Sequence, residues 1–136
     1  MNYSRRDLGL LLPALAAASG AAQQKALPSK AYKYEELPVR GTARAVLNGE
    51  THSGFPIEMH ITALPAGQAP HPPHKHVHEE LLMLRSGMLD ATILGQTTRV
   101  NAGSVLYLAS NEEHGWRNPG TEPAQYFVIS LGGDKA

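Results

Sequence analysis

Short runs of alternating apolar and polar residues, separated by turn residues, fill most of the chain beyond its first 30 residues. Runs of about four to eight residues with a period of two are typical of half-buried β-strands. Residues 57–64 alternate most clearly, with Met59 and Ile61 on the apolar side and His60 on the polar side. The other predicted strands are residues 32–39, 42–47, 80–84, 88–94, 97–100, 104–108 and 126–131.

Turn residues end these runs, at Asn48-Gly49, Ser86-Gly87 and Gly95-Gln96 among others. Beyond the N-terminal segment, no window has a sustained helical period, and 136 residues are enough for one domain. The pattern therefore predicts one all-β domain, an antiparallel sandwich or small barrel. We expect Met59 and Ile61 to line its interior, and His60 and His52 to face solvent.

Residues 1–22 have the layout of an export signal. Arg5 and Arg6 precede an apolar stretch at residues 8–18, and small residues follow. The arginine pair and Leu8 resemble a twin-arginine signal, which is read by a receptor. We expect cleavage near Ala22, no stable membrane anchor afterwards and a periplasmic or secreted protein. Residues 23–40 are then a linker and an edge strand, and residues 41–136 form the barrel. The alternative, an N-terminal amphipathic helix that stays on the mature protein, is disfavoured because residues 8–18 have no polar face.

Composition excludes several classes of function. Lys+Arg and Asp+Glu are both 12, so the chain has no net charge and no broad basic surface for nucleic acid. The chain has no cysteine, which excludes disulfides, thiolate nucleophiles and cysteine-type zinc sites. It also has no Gly-x-Ser-x-Gly turn and no phosphate loop. The unusual feature is seven histidines, four of them between His71 and His78.

Three of the possible ligands share a pattern, and a fourth lies farther along the chain. His74, His76 and Glu80 have the same parity, so on an extended chain their side chains point to one side. His114 lies farther along the chain, followed by Asn118. Three imidazoles and one carboxylate are a donor set that suits a transition metal. The alternative interpretation is a solvated histidine-rich surface patch.

These residues also resemble the two motifs of the cupin superfamily, in particular those of small single-domain cupins. The first motif is matched by Gly67, His74-x-His76, Glu80 and Gly87, and the second by Gly95, Asn101-Ala102-Gly103, His114 and Asn118. Asn101 stands where the family usually has proline, which affects the rigidity of a turn rather than the ligands. The resemblance covers roughly residues 55–131.

The resemblance implies a double-stranded β-helix, a jelly-roll barrel of two antiparallel sheets. It implies one divalent transition metal (Fe, Mn, Zn, Ni, Co or Cu) held by His74, His76, Glu80 and His114. One or two coordination positions would stay open for water or substrate. Asn118 would support the second motif rather than bind the metal.

Parity also suggests the wall around this metal. Leu82 and Leu84 follow Glu80 on the same side of the predicted strand. Trp116 has the same parity as His114, so it either closes the mouth of the barrel or packs on its rim. Met59 is expected on the opposite sheet. His78 and His71 are expected near the ligands or at the surface, and Glu79 outside. Such an apolar wall suits an uncharged or aromatic ligand.

Two functions follow from this interpretation. The first is a metal-dependent enzyme acting on a small molecule, oxygenase-like (a dioxygenase) or isomerase/lyase-like. The second is a non-catalytic metallo-cupin that binds or senses a small ligand. The expected partners are a small molecule and a second copy of the chain in a homodimer, with no nucleic acid.

Overall fold

The computed structural model describes residues 26–133, where regular structure is almost entirely β-strand. The strands are β1 (Val39–Arg40), β2 (Ala43–Glu50), β3 (Pro56–Leu64), β4 (Glu79–Ser86), β5 (Met88–Ile93), β6 (Gln96–Asn101), β7 (Val105–Leu108), β8 (His114–Arg117) and β9 (Ala124–Leu131). The expected export signal, residues 1–22, lies outside the described residues. Within residues 26–133, no helix is long and apolar enough to cross a membrane.

The strands form two antiparallel sheets that enclose one core. The larger sheet has the order β1-β2-β3-β9-β4-β7, and the smaller has the order β6-β5-β8. Both sheets contribute to the core, whose buried apolar side chains are Leu64, Leu82, Leu84, Leu89, Ala91, Leu108, Trp116, Ala124, Tyr126 and Val128. The sequence-based prediction of an all-β, two-sheet fold is confirmed.

Trp116 joins the two sheets from inside the core. Its indole Nε1 donates a hydrogen bond of 2.9 Å to the Tyr126 hydroxyl, and both side chains are buried. Burial raises the pKa of Tyr126, although its bonds to Trp116 and Thr62 oppose the shift. Trp116 is therefore a core residue that bridges β8 and β9, and it also lines a pocket together with His71 and Arg117.

Three local predictions differ from the structure. Asn48-Gly49 is not a turn, because β2 continues through it to Glu50 and a bulge beside Ala45 shifts the register. The expected strand at residues 32–39 contains a 3-10 helix, Tyr34–Glu36, and only Val39–Arg40 pairs as an edge strand. Strand β8 was not predicted, because a four-residue strand with a central glycine has almost no alternation to detect.

The predicted orientation of β3 is wrong. Thr62 pairs with Tyr126 and Leu64 with Ala124, which are both core residues. Paired residues of antiparallel strands project to the same side of the sheet, so the even-numbered positions of β3 face inward. Met59 and Ile61 therefore lie on the outer face of the larger sheet and do not line the pocket. His60 lies on the inner face, where it is half-buried rather than solvent-facing.

Gly87 allows the chain to pass from β4 in the larger sheet to β5 in the smaller one. Its φ is +83°, and a Cβ at this position would lie 2.9 Å from the Ala124 Cα. Only glycine accepts this conformation at such a close approach without strain. The turn therefore joins β4 in the larger sheet to β5 in the smaller one.

Candidate metal centre

The backbone brings the predicted ligands together from three parts of the chain. Glu80 lies near the start of β4, and His114 begins β8. His74 forms an isolated bridge with His114, and each backbone N–H donates to the other's carbonyl, at 2.9 and 2.8 Å. The carbonyl of His76 accepts from the N–H of Asn111 at 2.8 Å, which ties the segment before β4 to the loop before β8.

Backbone carbonyls set the tautomers of two imidazoles. His76 Nδ1 lies 2.7 Å from the carbonyl of His78, and His114 Nδ1 lies 2.9 Å from the carbonyl of Glu112. A carbonyl can only accept, so each Nδ1 carries the hydrogen and each Nε2 presents a lone pair. This is the arrangement in which histidine binds a metal through Nε2.

Both of these Nε2 atoms are buried and have no hydrogen-bond partner. Glu80 faces them, with Oε1 3.5 Å from His76 Nε2 and Oε2 3.7 Å from His114 Nε2. Glu80 is only 8% exposed and His114 only 1%. Buried lone pairs that face a carboxylate are costly unless a cation or protons lie between them. Nitrogen and carboxylate donors in this arrangement fit a divalent transition metal.

His74 completes the group from the exposed side. Potential ligand atoms of His74, His76 and His114 lie within 4.8 Å of one another, so the three histidines could hold a metal ion. Burial lowers the pKa of His74, and the neighbouring imidazoles of His71, His114 and His76 lower it further, whereas Glu80 raises it. The ring of His71 stacks on His74 at 3.9 Å. The neutral, metal-binding form of His74 is therefore favoured.

His78 lies closer to the ligands than its position before β4 suggested. Its Nε2 is 3.2 Å from Glu80 Oε1, and its ring stacks on His76 with centroids 3.7 Å apart. Potential ligand atoms of His76, His78 and Glu80 form a second group that could hold a metal. His78 therefore either orients the Glu80 carboxylate or offers an alternative nitrogen to the same ion.

The remaining predicted site residues lie around this cluster or away from it. Leu82 and Leu84 point into the core below Glu80. Asn118 is fully buried, donates through Nδ2 to the carbonyls of Leu64 and Glu122, and accepts at Oδ1 from the N–H of Gly120. It therefore holds the loop after β8 and belongs to neither group of potential ligands. Met59 lies on the other side of the larger sheet.

An apolar pocket lies next to His114 between the two sheets. It has a volume of about 510 Å³, and its lining residues are Ala91, Ile93, Leu94, Gln96, Thr98, Val100 and Leu106. Ile93 pairs with His114 across β5 and β8, which places this wall beside the cluster. No charged side chain lines the pocket, so it can accept an uncharged, mainly apolar group.

A two-sheet β-barrel with a histidine–glutamate group at one end defines the class of protein. The family model of the cupin domain (Cupin_2) matches residues 60–130, and the chain therefore belongs to the cupin family. No curated protein matched this chain in sequence.

Solved structures support the same fold. An RmlC-like cupin from Shewanella frigidimarina aligns over 79% of this chain and 95% of its own, with a TM-score of 0.61 and 14% identity. An RmlC-like cupin family protein from Methanocaldococcus jannaschii, described as a double-stranded β-helix, aligns over 78% and 93%, with a TM-score of 0.62 and 18% identity. A Cupin 2 conserved barrel domain protein from Salinispora arenicola aligns over 77% and 88%, with a TM-score of 0.58 and 20% identity. At these identities the likeness concerns the fold.

Proposed function

We propose that this cupin is an exported, metal-dependent enzyme that acts on a small, mainly uncharged molecule. The observation that carries the proposal is the pair of buried Nε2 lone pairs of His76 and His114, which have no partner and face the Glu80 carboxylate. Structural histidines usually satisfy both ring nitrogens. Leaving two of them unsatisfied around one carboxylate is costly, and a bound cation removes that cost.

In this proposal His74, His76, Glu80 and His114 hold one divalent transition metal. When bound, the metal supplies Lewis-acid or redox chemistry at its open coordination positions. The chain's own residues orient the ligands: carbonyls of His78 and Glu112 fix two imidazoles, and His78 approaches Glu80 Oε1. Leu82 and Val128, both almost fully buried, exclude water from below.

The apolar pocket beside His114 supports the type of ligand. It has room for a molecule of aromatic size, since small-ligand pockets measure about 300–1,000 Å³. Its polar groups are the neutral side chains of Gln96 and Thr98. A ligand seated there would present an uncharged group to the cluster, which favours a phenol or a ketone over a sugar phosphate.

Export is the second part of the proposal and rests on residues 1–22 alone. Arg5, Arg6 and the apolar stretch at residues 8–18 support a twin-arginine route into the periplasm. Expression of the full chain with its own N-terminus, followed by fractionation and N-terminal sequencing, tests this directly. We expect the mature protein to start near residue 23, and an uncleaved cytoplasmic product would overturn the export assignment.

The catalytic part is tested on protein purified without an affinity tag. Elemental analysis should find one transition metal per chain, and an oxygen electrode should register uptake with a panel of phenols and diketones. Conversion of a panel compound without oxygen uptake would instead indicate an isomerase or lyase. Tight binding without turnover would indicate the non-catalytic alternative. Protein that stays free of metal after incubation with each candidate ion would overturn the site assignment.

A further inference from the structure

Glu58 and His60 form a second polar group on the inner face of the larger sheet. Glu58 pairs with Ser130 across β3 and β9, and Glu80 pairs with the same Ser130 across β4 and β9. All three side chains therefore project to one side, and the Cα atoms of Glu58 and Glu80 are about 10 Å apart, two strand spacings. His60 lies on the same face, two residues farther along β3.

The pair has the geometry of an oriented base. His60 Nδ1 lies 3.0 Å from Glu58 Oε1 and 3.2 Å from Oε2, and the Ser130 hydroxyl donates to Oε2 at 3.4 Å. The carboxylate keeps the hydrogen on Nδ1, so Nε2 presents the lone pair. Nε2 makes no hydrogen bond within residues 26–133, and the two side chains are 31% and 34% exposed. The imidazole is thus held by Glu58 and open at its other nitrogen.

A groove of about 400 Å³ lies in front of this pair. Its other lining residues include Arg40 and Asn48, with Pro38, Ala43 and Ala45 between them. Arg40 forms no ion pair within the part of the chain that the structure describes. The groove therefore offers donors from Arg40 and Asn48 to the oxygen atoms of a ligand, and an imidazole nitrogen that can accept a proton. The lining residues of the apolar pocket beside His114 include no arginine and no histidine.

We propose that His60 is the proton-transfer residue of this site, that Glu58 positions it, and that the substrate is a hydroxy ketone or a related enolisable carbonyl compound. This inference rests on the proposed enzymatic function and deepens it, because a base on the inner face that also carries Glu80 favours isomerase/lyase chemistry over oxygenation. In the step, a C–H bond next to the carbonyl breaks and its proton forms an N–H bond at His60 Nε2. The electron pair of the broken bond moves to the carbonyl oxygen, giving an enolate, and return of the proton reverses the step or completes an isomerisation.

Hydrogen–deuterium exchange tests this step without requiring full turnover. Pyruvate, hydroxyacetone and 2-hydroxyacetophenone, which differ in size, are incubated in D₂O with the metal-loaded protein, and exchange next to the carbonyl is followed by proton NMR. We expect the protein to accelerate exchange of at least one hydroxy ketone. His60→Gln should lower that acceleration at least ~100-fold, in line with the usual contribution of a general base. His52→Gln, which removes an exposed imidazole elsewhere, is the matched control and should exchange as the parent does.

Glu58 needs a readout that a merely structural role would not change. In ¹⁵N NMR, the His60 ring should show a single Nδ1–H tautomer in the parent and in Glu58→Asp, but a mixture in Glu58→Gln. Exchange should follow the same order, with Glu58→Asp partly rescuing the rate.

The metal content of each variant separates this inference from the proposed function. His60→Gln should keep the metal of the parent, since His60 is in neither ligand group. Two results would overturn the role of His60 while leaving the metal site intact. The first is exchange by metal-loaded His60→Gln at the rate of the parent protein. The second is that the metal-loaded parent protein accelerates the exchange of none of the probes. Absence of metal from the parent would count against the proposed function instead.

Discussion

The two faces of the sheet formed by β3, β9 and β4 have opposite compositions near the candidate site. The inner face carries Glu58, His60, Ser130 and Glu80, whereas the outer face carries Ile57, Met59, Ile129 and Leu81. Farther along the same strands, the side chains on the inner face are apolar and form the core. Burying polar groups on a core-facing surface costs free energy unless they are paired or bind a ligand. The inversion of polarity thus coincides with the candidate metal site.

Truncation of neighbouring residues on β4 tests which face carries the stability. Leu82→Ala, on the inner face, should lower the free energy of unfolding by about 2–5 kcal/mol, because the side chain is fully buried and leaves a cavity. Leu81→Ala, on the outer face, should cost less than half as much. Urea unfolding followed by circular dichroism measures both. Equal losses would mean that the outer face is as tightly packed as the core.

Removal of a ligand from the inner cluster tests the metal site. His76→Ala deletes one of the two buried Nε2 lone pairs, so we expect metal affinity to fall at least ~100-fold, more than the usual loss from removing a group that only orients a ligand. Equilibrium dialysis with elemental analysis measures this change. His52→Ala is the control, because His52 is exposed and its Nε2 lies 3.0 Å from the Leu27 carbonyl, outside both groups of potential ligands. Unchanged occupancy in His76→Ala would exclude this cluster as the metal site.

Much of the fold was predictable because most strands show alternation and end at turn residues. Strand β3 shows where that reasoning stops. Alternation identifies a strand, but it identifies the buried face only when the other face is polar. In β3, Leu64 is an apolar residue at an even-numbered position next to a turn. It was the one sign in the sequence that the even-numbered residues of this strand point into the core. The inward positions of Glu58 and His60 depend on pairing with β9, about 70 residues away, which no local pattern reports.

The site itself was more predictable than the orientation of β3. His74, His76, Glu80 and His114 were grouped from spacing and family motifs, and the structure brings their side chains together. The extended-chain argument was not the physical reason, since residues 74–78 precede β4 and form no strand. The bridge between His74 and His114 brings the distant imidazole close, and the contact of His78 with Glu80 follows from the bend before β4. Neither is visible as a period in the sequence.

The outer face leads to a prediction about assembly. Its apolar side chains on β3, β9, β4 and β7 are half-exposed or exposed apart from Ile61, and include Met59, Leu81, Phe127, Ile129, Val105 and Tyr107. Four strands with a spacing of ~4.8 Å give an apolar patch of roughly 400 Å², within the range of the largest patches on monomers, which are often functional. Two such patches together bury roughly 800 Å², less than the ~1,000 Å² of a small specific interface, so we expect a second copy to cover this face in a weak dimer.

Met59→Lys tests that assembly without touching the barrel interior. We expect the dimer dissociation constant to rise at least ~10-fold by sedimentation equilibrium, because a charge would be buried within the patch. Asn101→Lys, at the exposed end of β6 on the smaller sheet, is the control and should not alter association. A parent protein that stays monomeric at high concentration would contradict this assembly.

The smallest expected effect concerns the hydrogen bond that crosses the core. Tyr126→Phe removes the hydroxyl that accepts from Trp116 Nε1 and leaves a buried N–H without its partner. We expect a loss of about 1 kcal/mol in the free energy of unfolding. Tyr107→Phe is the comparison on the outer face: its hydroxyl is exposed, contacts Glu79 and can be replaced by water, so the unfolding midpoint should not change. Equal effects of the two substitutions would show that the Trp116–Tyr126 bond does not stabilise the inner face more than a surface contact does.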